Sequence, residues 1–205
     1  HRPPALARET GLSPSTVDAH LETLRRHRVL APGPTAARTG RGRPAATLVI
    51  RDDTGVVLVA SLTATRMELA VMTLGQRCLA YEKHVVAIAD GPGAVLGLLV
   101  ARLHAMLAEL PPTRVLLASI GLPGPVDSHQ GTPVRPPIMP GWDGHPVAAE
   151  ISEEFGCPTI VDNDVNLMAL GESRALPPSE LPLVYVKVGT GIGSGLVTAA
   201  GQLHR

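Results

Sequence analysis

VVLVASLTATRMELAVMTLGQRCLAYEKHVV, residues 56–86, reads as three strands. Apolar or alternating runs at 56–62, 67–74 and 79–86 are separated by turn residues, the pattern of strands packed on a core. Beyond them, 91–110 has helical periodicity, with Val95, Leu98, Leu99, Leu103, Met106 and Leu110 on its apolar side. A strand at 114–120 follows, then a helix at 146–155, a strand at 159–161 and a helix at 165–175. Two last apolar runs, 183–188 and 196–199, flank a glycine-rich turn. This order of elements predicts an α/β fold.

The 205 residues suffice for one large domain or two small ones. Net charge is zero, but its distribution is uneven. Residues 1–50 hold eight arginines against three acidic residues, a net +5, and the remainder carries −5. A basic head on an acidic body is what an electrostatic footprint for nucleic acid would produce, and a chance surface bias is the plainer alternative. Aromatic residues are scarce, which argues against base stacking as the binding mode. Cys78 and Cys157 lie in apolar runs with no C-x-x-C spacing, so buried free thiols are expected, with no metal site and no disulfide framework. Arg102 and His104 interrupt the longest apolar stretch, and no signal-peptide pattern opens the sequence. A cytoplasmic protein without membrane contact is expected.

Within the first fifty residues, Leu6, Leu12, Val17, Leu21 and Leu24 form the apolar skeleton of a small helical unit. A short helix at 4–9 leads to a turn at Gly11. Ser13 is suited to cap the next helix and Pro14 to open it. Val17, Leu21 and Leu24 then recur at helical spacing. The string LARETGLSPSTVDAHLETLRRHRVL resembles the second and third helices of a helix-turn-helix, which would bring Ser15, Thr16 and His20 nearest the bases. An ordinary helical hairpin is the plainer alternative. PGPTAARTGRGRPAATLVI could form a wing of two short strands around a basic loop, with Arg38, Arg41 and Arg43 reaching phosphates or a minor groove. A solvated basic linker is the other reading. Residues 1–50 are accordingly expected to be a DNA-binding domain and 51–205 a second domain.

Four motifs give that second domain its resemblance. Ile120 to Asp127, IGLPGPVD, is similar to the G-x-P-G-x-V-D turn of the ROK (repressor, open reading frame, kinase) family. Pro140-Gly141-Trp142-Asp143 resembles the family's G-W segment, where Trp142 is more simply a packing anchor. Val161 to Asn166, VDNDVN, resembles the family's N-D-x-N, and Val188 to Gly195, VGTGIGSG, its second phosphate loop. The resemblance implies an actin-like ATPase or sugar-kinase lobe, with a sugar held by Gly124, Asn163 and Asp164. In the family's kinases the residue at position 164 is the general base toward a sugar hydroxyl, a role a carboxylate within hydrogen-bond reach can fill. Gly189, Thr190, Gly191 and Gly193 would be a vestigial phosphate loop. The alternative for Asn163 and Asp164 is that they only cap the helix that follows.

One departure bears on activity. Where ROK kinases carry D-x-G-G-T, this sequence has Ser61-Leu62-Thr63-Ala64-Thr65, so only Thr65 matches. Loss of the carboxylate and of both glycines argues against holding ATP and magnesium, so neither is expected, and no metal site is expected within this segment. The family's zinc-binding Cys/His segment would fall beyond Arg205, and a helix would precede His1. A chain truncated at both ends, lacking most of the second lobe, is therefore expected. The function expected is a sugar-responsive DNA-binding regulator, homo-oligomeric when complete, whose partners are operator DNA and a sugar effector. A ROK sugar kinase acting on a hexose or N-acetylhexosamine and a non-functional remnant are the alternatives.

Overall fold

A computed structural model describes residues 3–33, 47–189 and 191–204. Arg38, Arg41 and Arg43 of the expected wing, and Thr190 of the glycine-rich turn, lie outside the described residues.

The chain begins with helices α1 (Pro3–Thr10) and α2 (Pro14–Arg26) and a short antiparallel pair, β1 (Leu30–Pro32) with β2 (Leu48–Ile50). Ser13 caps α2 by accepting a hydrogen bond from the Thr16 amide at 3.2 Å, and Pro14 opens the helix. Val17, Leu21 and Leu48 are buried, with Leu6, Ala7 and Leu30 packed around them. Two of the five expected core residues are corrected. Leu12 is 44% exposed and Leu24 39%, because so little chain cannot cover every apolar side chain at the rim.

A separate and larger core follows. Strands β3 (Val56–Leu62), β4 (Arg66–Thr73) and β5 (Cys78–Val85) form an antiparallel meander, followed by helix α3 (Pro92–Ala108) and strand β6 (Val115–Leu122). A small ribbon, β7 (Val126–Asp127) with β8 (Thr132–Pro133), leads to helix α4 (Val147–Phe155), strand β9 (Thr159–Asn163) and helix α5 (Asp164–Ala175). The main sheet has the order β5-β4-β3-β6-β9, with β3, β6 and β9 parallel. Alternation works as the sequence predicts: Val56, Leu58, Ala60 and Leu62 of β3 are buried in one core with Leu99 and Leu103 of α3 and Val147 and Ile151 of α4. Leu96 takes the buried place on α3 that was expected of Leu98, which is 38% exposed. Cys157 is buried, and burial pushes its thiol above the usual range. Cys78 is exposed, contrary to expectation, because it opens β5 at the edge of the sheet. Glu82 of β5, bound bidentately by Arg102 of α3 and bonded to His84, ties that edge strand to the helix, and its carboxyl is lowered to about 2.

The last strands, β10 (Leu183–Val188), β11 (Ile192–Val197) and β12 (Leu203–His204), form a second, antiparallel sheet. Strand β11 starts four residues earlier than the sequence suggests, so Gly193 and Gly195 lie in a strand and the turn is confined to its tip. In this hairpin Val197 is fully buried and Leu183 half-buried, because that face lies against α5. Val184, Val186, Val188 and Ile192 on the other face are 57–81% exposed.

Glycine governs how closely α5 approaches β11. A Cβ on Gly195 would stand 2.7 Å from Ala169 Cβ and 2.9 Å from the Val165 carbonyl oxygen. Gly195→Ala should therefore destabilise the protein by about 1–3 kcal/mol, the cost of overpacking a filled interface. Gly97→Ala, on an open face of α3, meets nothing within 4 Å and should stabilise by roughly 0.5–1 kcal/mol. Urea unfolding of the two variants checks the pair. Equal midpoints would show that α5 and β11 are not in contact.

Candidate functional site

Parallel strands β6 and β9 end side by side, with Gly121 opposite Asp162 and Leu122 opposite Asn163. The crevice outside the carboxyl ends of such strands is where α/β folds hold ligands. The chain leaves β6 through Gly124, whose φ of +155° lies in the region that favours glycine, and a Cβ there would crowd Pro136 at 3.1 Å. It leaves β9 directly into α5, with Asn163 as the N-cap.

Asn163 does two jobs at this corner. Its Oδ1 accepts from the amides of Val165 at 3.0 Å and Asn166 at 3.3 Å, which satisfies two of the free N–H groups of α5. Its Nδ2 donates to the carbonyl oxygen of Gly124 at 2.8 Å, locking the turn after β6 to the start of the helix. The expected residues Gly124 and Asn163 are thus bonded to each other. Asp164, only 4% exposed, accepts from the Val165 amide at 2.9 Å through Oδ1, and Lys187 of β10 ion-pairs with its Oδ2. Asp162 is buried and accepts from the Asn163 amide and from Asn166 Nδ2. Sequence reasoning singled out neither Lys187 nor Asp162. The available signal for Lys187 was a single charge at an alternate position of the apolar run VYVKV.

Other expected positions have structural work of their own. Asp127 accepts from the amides of His129 and Gln130 and closes the turn between β7 and β8. Trp142 is fully buried, with Nε1 donating to the Ile88 carbonyl oxygen at 3.0 Å, which is the packing role. At the tip of the second hairpin the Gly189 amide donates to the Gly191 carbonyl oxygen at 2.9 Å. A Cβ on Gly193 would meet Val165 Cγ2 at 2.8 Å, so helix packing by itself requires glycine there. The first loop, residues 63–65, is closed by Thr63. Its hydroxyl oxygen accepts from the Arg66 amide at 3.0 Å and the Thr65 amide at 3.4 Å. Those amides are spent inside the turn and Ser61 supplies no carboxylate, so the residues present do not fit a magnesium-bound nucleotide phosphate.

Two surfaces lie apart from this crevice. Ser15 and His20 on α2 are exposed and Thr16 is half-buried, and the Ser13 hydroxyl is hydrogen-bonded to those of both Ser15 and Thr16. A groove of about 520 Å³ between α3 and α4 is lined by Leu96, Gly97, Val100 and Ile151 with Glu150, Glu153 and Glu154, and includes none of the residues the sequence pointed to. Among the described residues, no cluster of three or more His, Cys, Asp or Glu could hold a metal ion, and no helix is long and apolar enough to cross a membrane.

The mixed α/β fold, with β6 and β9 ending side by side before α5, is the actin-like fold of sugar kinases and their related regulators. The ROK family matches residues 61–205, and the chain belongs to it. A proposed xylose repressor of Caldicellulosiruptor sp. strain Rt8B.4 is 27% identical over 76% of this chain and 40% of its own. A glucokinase of Halalkalibacterium halodurans is 33% identical over 42% of this chain and 26% of its own. In fold, the chain superposes over its whole length on a ROK family transcriptional regulator, a homologue of the E. coli MLC protein, with a TM-score of 0.76 at 23% identity. A Streptomyces griseus ROK glucokinase crystallised with glucose and AMPPNP aligns with 74% of this chain at a TM-score of 0.63 and 22% identity. The chain spans about half the length of these two structures, 52% and 46%.

Asn163→Ala removes both the cap of α5 and the tie to Gly124. The expected loss is about 2 kcal/mol, from a lost N-cap and an unsatisfied carbonyl. Asn163→Asp keeps the cap but cannot donate to Gly124, and should fall between the two. Chemical denaturation of the three proteins reads this out, and an unchanged midpoint for Asn163→Ala would rule the double bonding out.

Proposed function

We propose that this chain is part of a sugar-responsive DNA-binding regulator of the ROK family that binds its sugar without phosphorylating it. The observation that carries the reading is the closed first loop. Thr63 occupies the amides of Thr65 and Arg66, and Ser61 stands where a kinase needs a carboxylate, so the groups that would hold ATP and magnesium are missing. The crevice formed by Gly124, Asn163 and Asp164 is untouched by this loss and keeps its polar character.

Helices α1 and α2 with the β1–β2 pair form the DNA-binding unit, a helix-turn-helix followed by the arginine-rich segment that joins the two strands. Its support is the net +5 charge of residues 1–50, the exposed Ser15 and His20 on α2, and the likeness of the whole chain's fold to a ROK regulator. Ser15, Thr16 and His20 face the major groove and Arg41 and Arg43 face phosphate. The sugar effector is held at Gly124, Asn163 and Asp164. Homo-oligomerisation of the whole protein belongs to the same reading, since two-fold operators are read by dimers.

Each half has a test. Binding to duplex DNA should weaken with salt, and the paired change Arg41→Ala with Arg43→Ala should reduce the slope of log K against log salt by about 2, roughly one unit per lost phosphate contact. An unchanged slope would show that the arginine-rich segment is only a linker. For the sugar, calorimetry with xylose, hexoses and N-acetylated hexosamines should find a ligand whose binding Asp164→Ala abolishes, while a coupled assay shows no sugar-dependent ATP turnover. Turnover well above a blank would replace the regulator reading with that of a kinase.

A further inference from the structure

We propose that Lys187 is a second sugar-contacting residue, which grips with Asp164 two adjacent hydroxyls of a neutral, unphosphorylated sugar. The inference rests on the sugar-binding reading above and narrows it to a ligand class.

The chain's basic residues are sixteen arginines and only two lysines, Lys83 and Lys187. Lys83 lies on the outer face of the main sheet and pairs with Glu68 at 2.9 Å. Lys187 is differently placed. It sits between Val186 and Val188 in β10, with its side chain on the face turned toward α5, and Asp164 supplies the counter-charge that such a position requires. Its cross-strand neighbour is Gly193, so no side chain covers the lysine from that direction.

This pair keeps polar capacity in the crevice. Asn163 has committed Oδ1 to two amides and Nδ2 to the Gly124 carbonyl. The Asp164 side chain is 4% exposed and that of Lys187 29%, so the lysine is the more open partner. An ammonium has three donors and a carboxylate about four acceptor sites, so an ion pair leaves donors and acceptors side by side. A vicinal diol matches that arrangement. One hydroxyl donates to Asp164 while its neighbour accepts from Lys187. Because Asp164 already balances the lysine's charge, a phosphate or carboxylate on the sugar would find no uncompensated cation here.

Having only two lysines makes the test direct. Biosynthetic incorporation of ¹³C,¹⁵N-lysine into the full chain labels Lys83 and Lys187 and leaves their ammonium groups intact, and the signals are assigned with Lys83→Arg and Lys187→Arg. Glucose, xylose, N-acetylglucosamine, N-acetylmannosamine and glucose 6-phosphate are then titrated. A neutral sugar should shift the Lys187 signal saturably and leave Lys83 in place. Calorimetry should show Lys187→Met weakening that sugar by about tenfold to a hundredfold, the loss of a charge-assisted hydrogen bond, and Lys187→Arg by only a few-fold. A sugar that needs Asp164 but neither shifts Lys187 nor distinguishes Lys187→Met would overturn this inference and leave the regulator reading standing. Tighter binding of glucose 6-phosphate than of glucose would overturn the ligand class. If no sugar in the panel binds, the inference and the sugar-binding reading fall together. Should Lys187→Met fail to fold, the shift in the native chain decides.

Discussion

Helix α5 reaches two sheets at once because the strands facing it lack side chains at the points of closest approach. On β6, a Cβ at Gly121 would come within 3.3–3.4 Å of Asp164 and Leu167. On β11, Gly193 and Gly195 leave no room for a Cβ beside Val165 and Ala169. This double contact places the first turn of α5 between the end of the main sheet and the second hairpin. Every group in the crevice takes its position from that placement. Asn163 can reach Gly124 because β6 and β9 end in register, and Lys187 can reach Asp164 because β10 follows β11 onto the helix.

The electrostatics follow from the same geometry. The amino end of a helix carries free N–H groups and a partial positive charge, which favours carboxylates and side-chain oxygens there. Asp164 and Asn163 fill that role, and Lys187 completes the compensation of the Asp164 carboxylate. Removing one partner of such a largely buried pair costs more than the pair itself contributes. The first phosphate loop shows the opposite outcome. There a threonine closes the turn on itself and leaves no amide cradle.

Much of this was legible in the sequence because period-2 alternation and helix capping are local properties. Strand β3 appears with the limits its pattern gives, and Ser13 caps α2 as its neighbours indicate. The polar corner was legible as well, since Asn163 and Asp164 follow a strand and open a helix. Its partners were not. A glycine string has the same letters whether it cradles phosphate or lets a helix approach, and only the position of α5 shows that Gly193 and Gly195 do the second. Lys187 meets its carboxylate across 23 residues, a pairing that no local pattern encodes. Leu12, Leu24 and Leu98 are exposed because hydrophobicity alone does not say which side of a small unit will be covered.

Hydrogen exchange with and without a bound sugar tests most directly the claim that the start of α5 is the ligand site joining the two sheets. Protection should rise in peptides covering residues 121–126, 160–168 and 183–189, and remain unchanged in those covering the α3–α4 groove, residues 93–100 and 150–154. Protection confined to the groove, or to residues 61–66 with ATP present, would contradict the account.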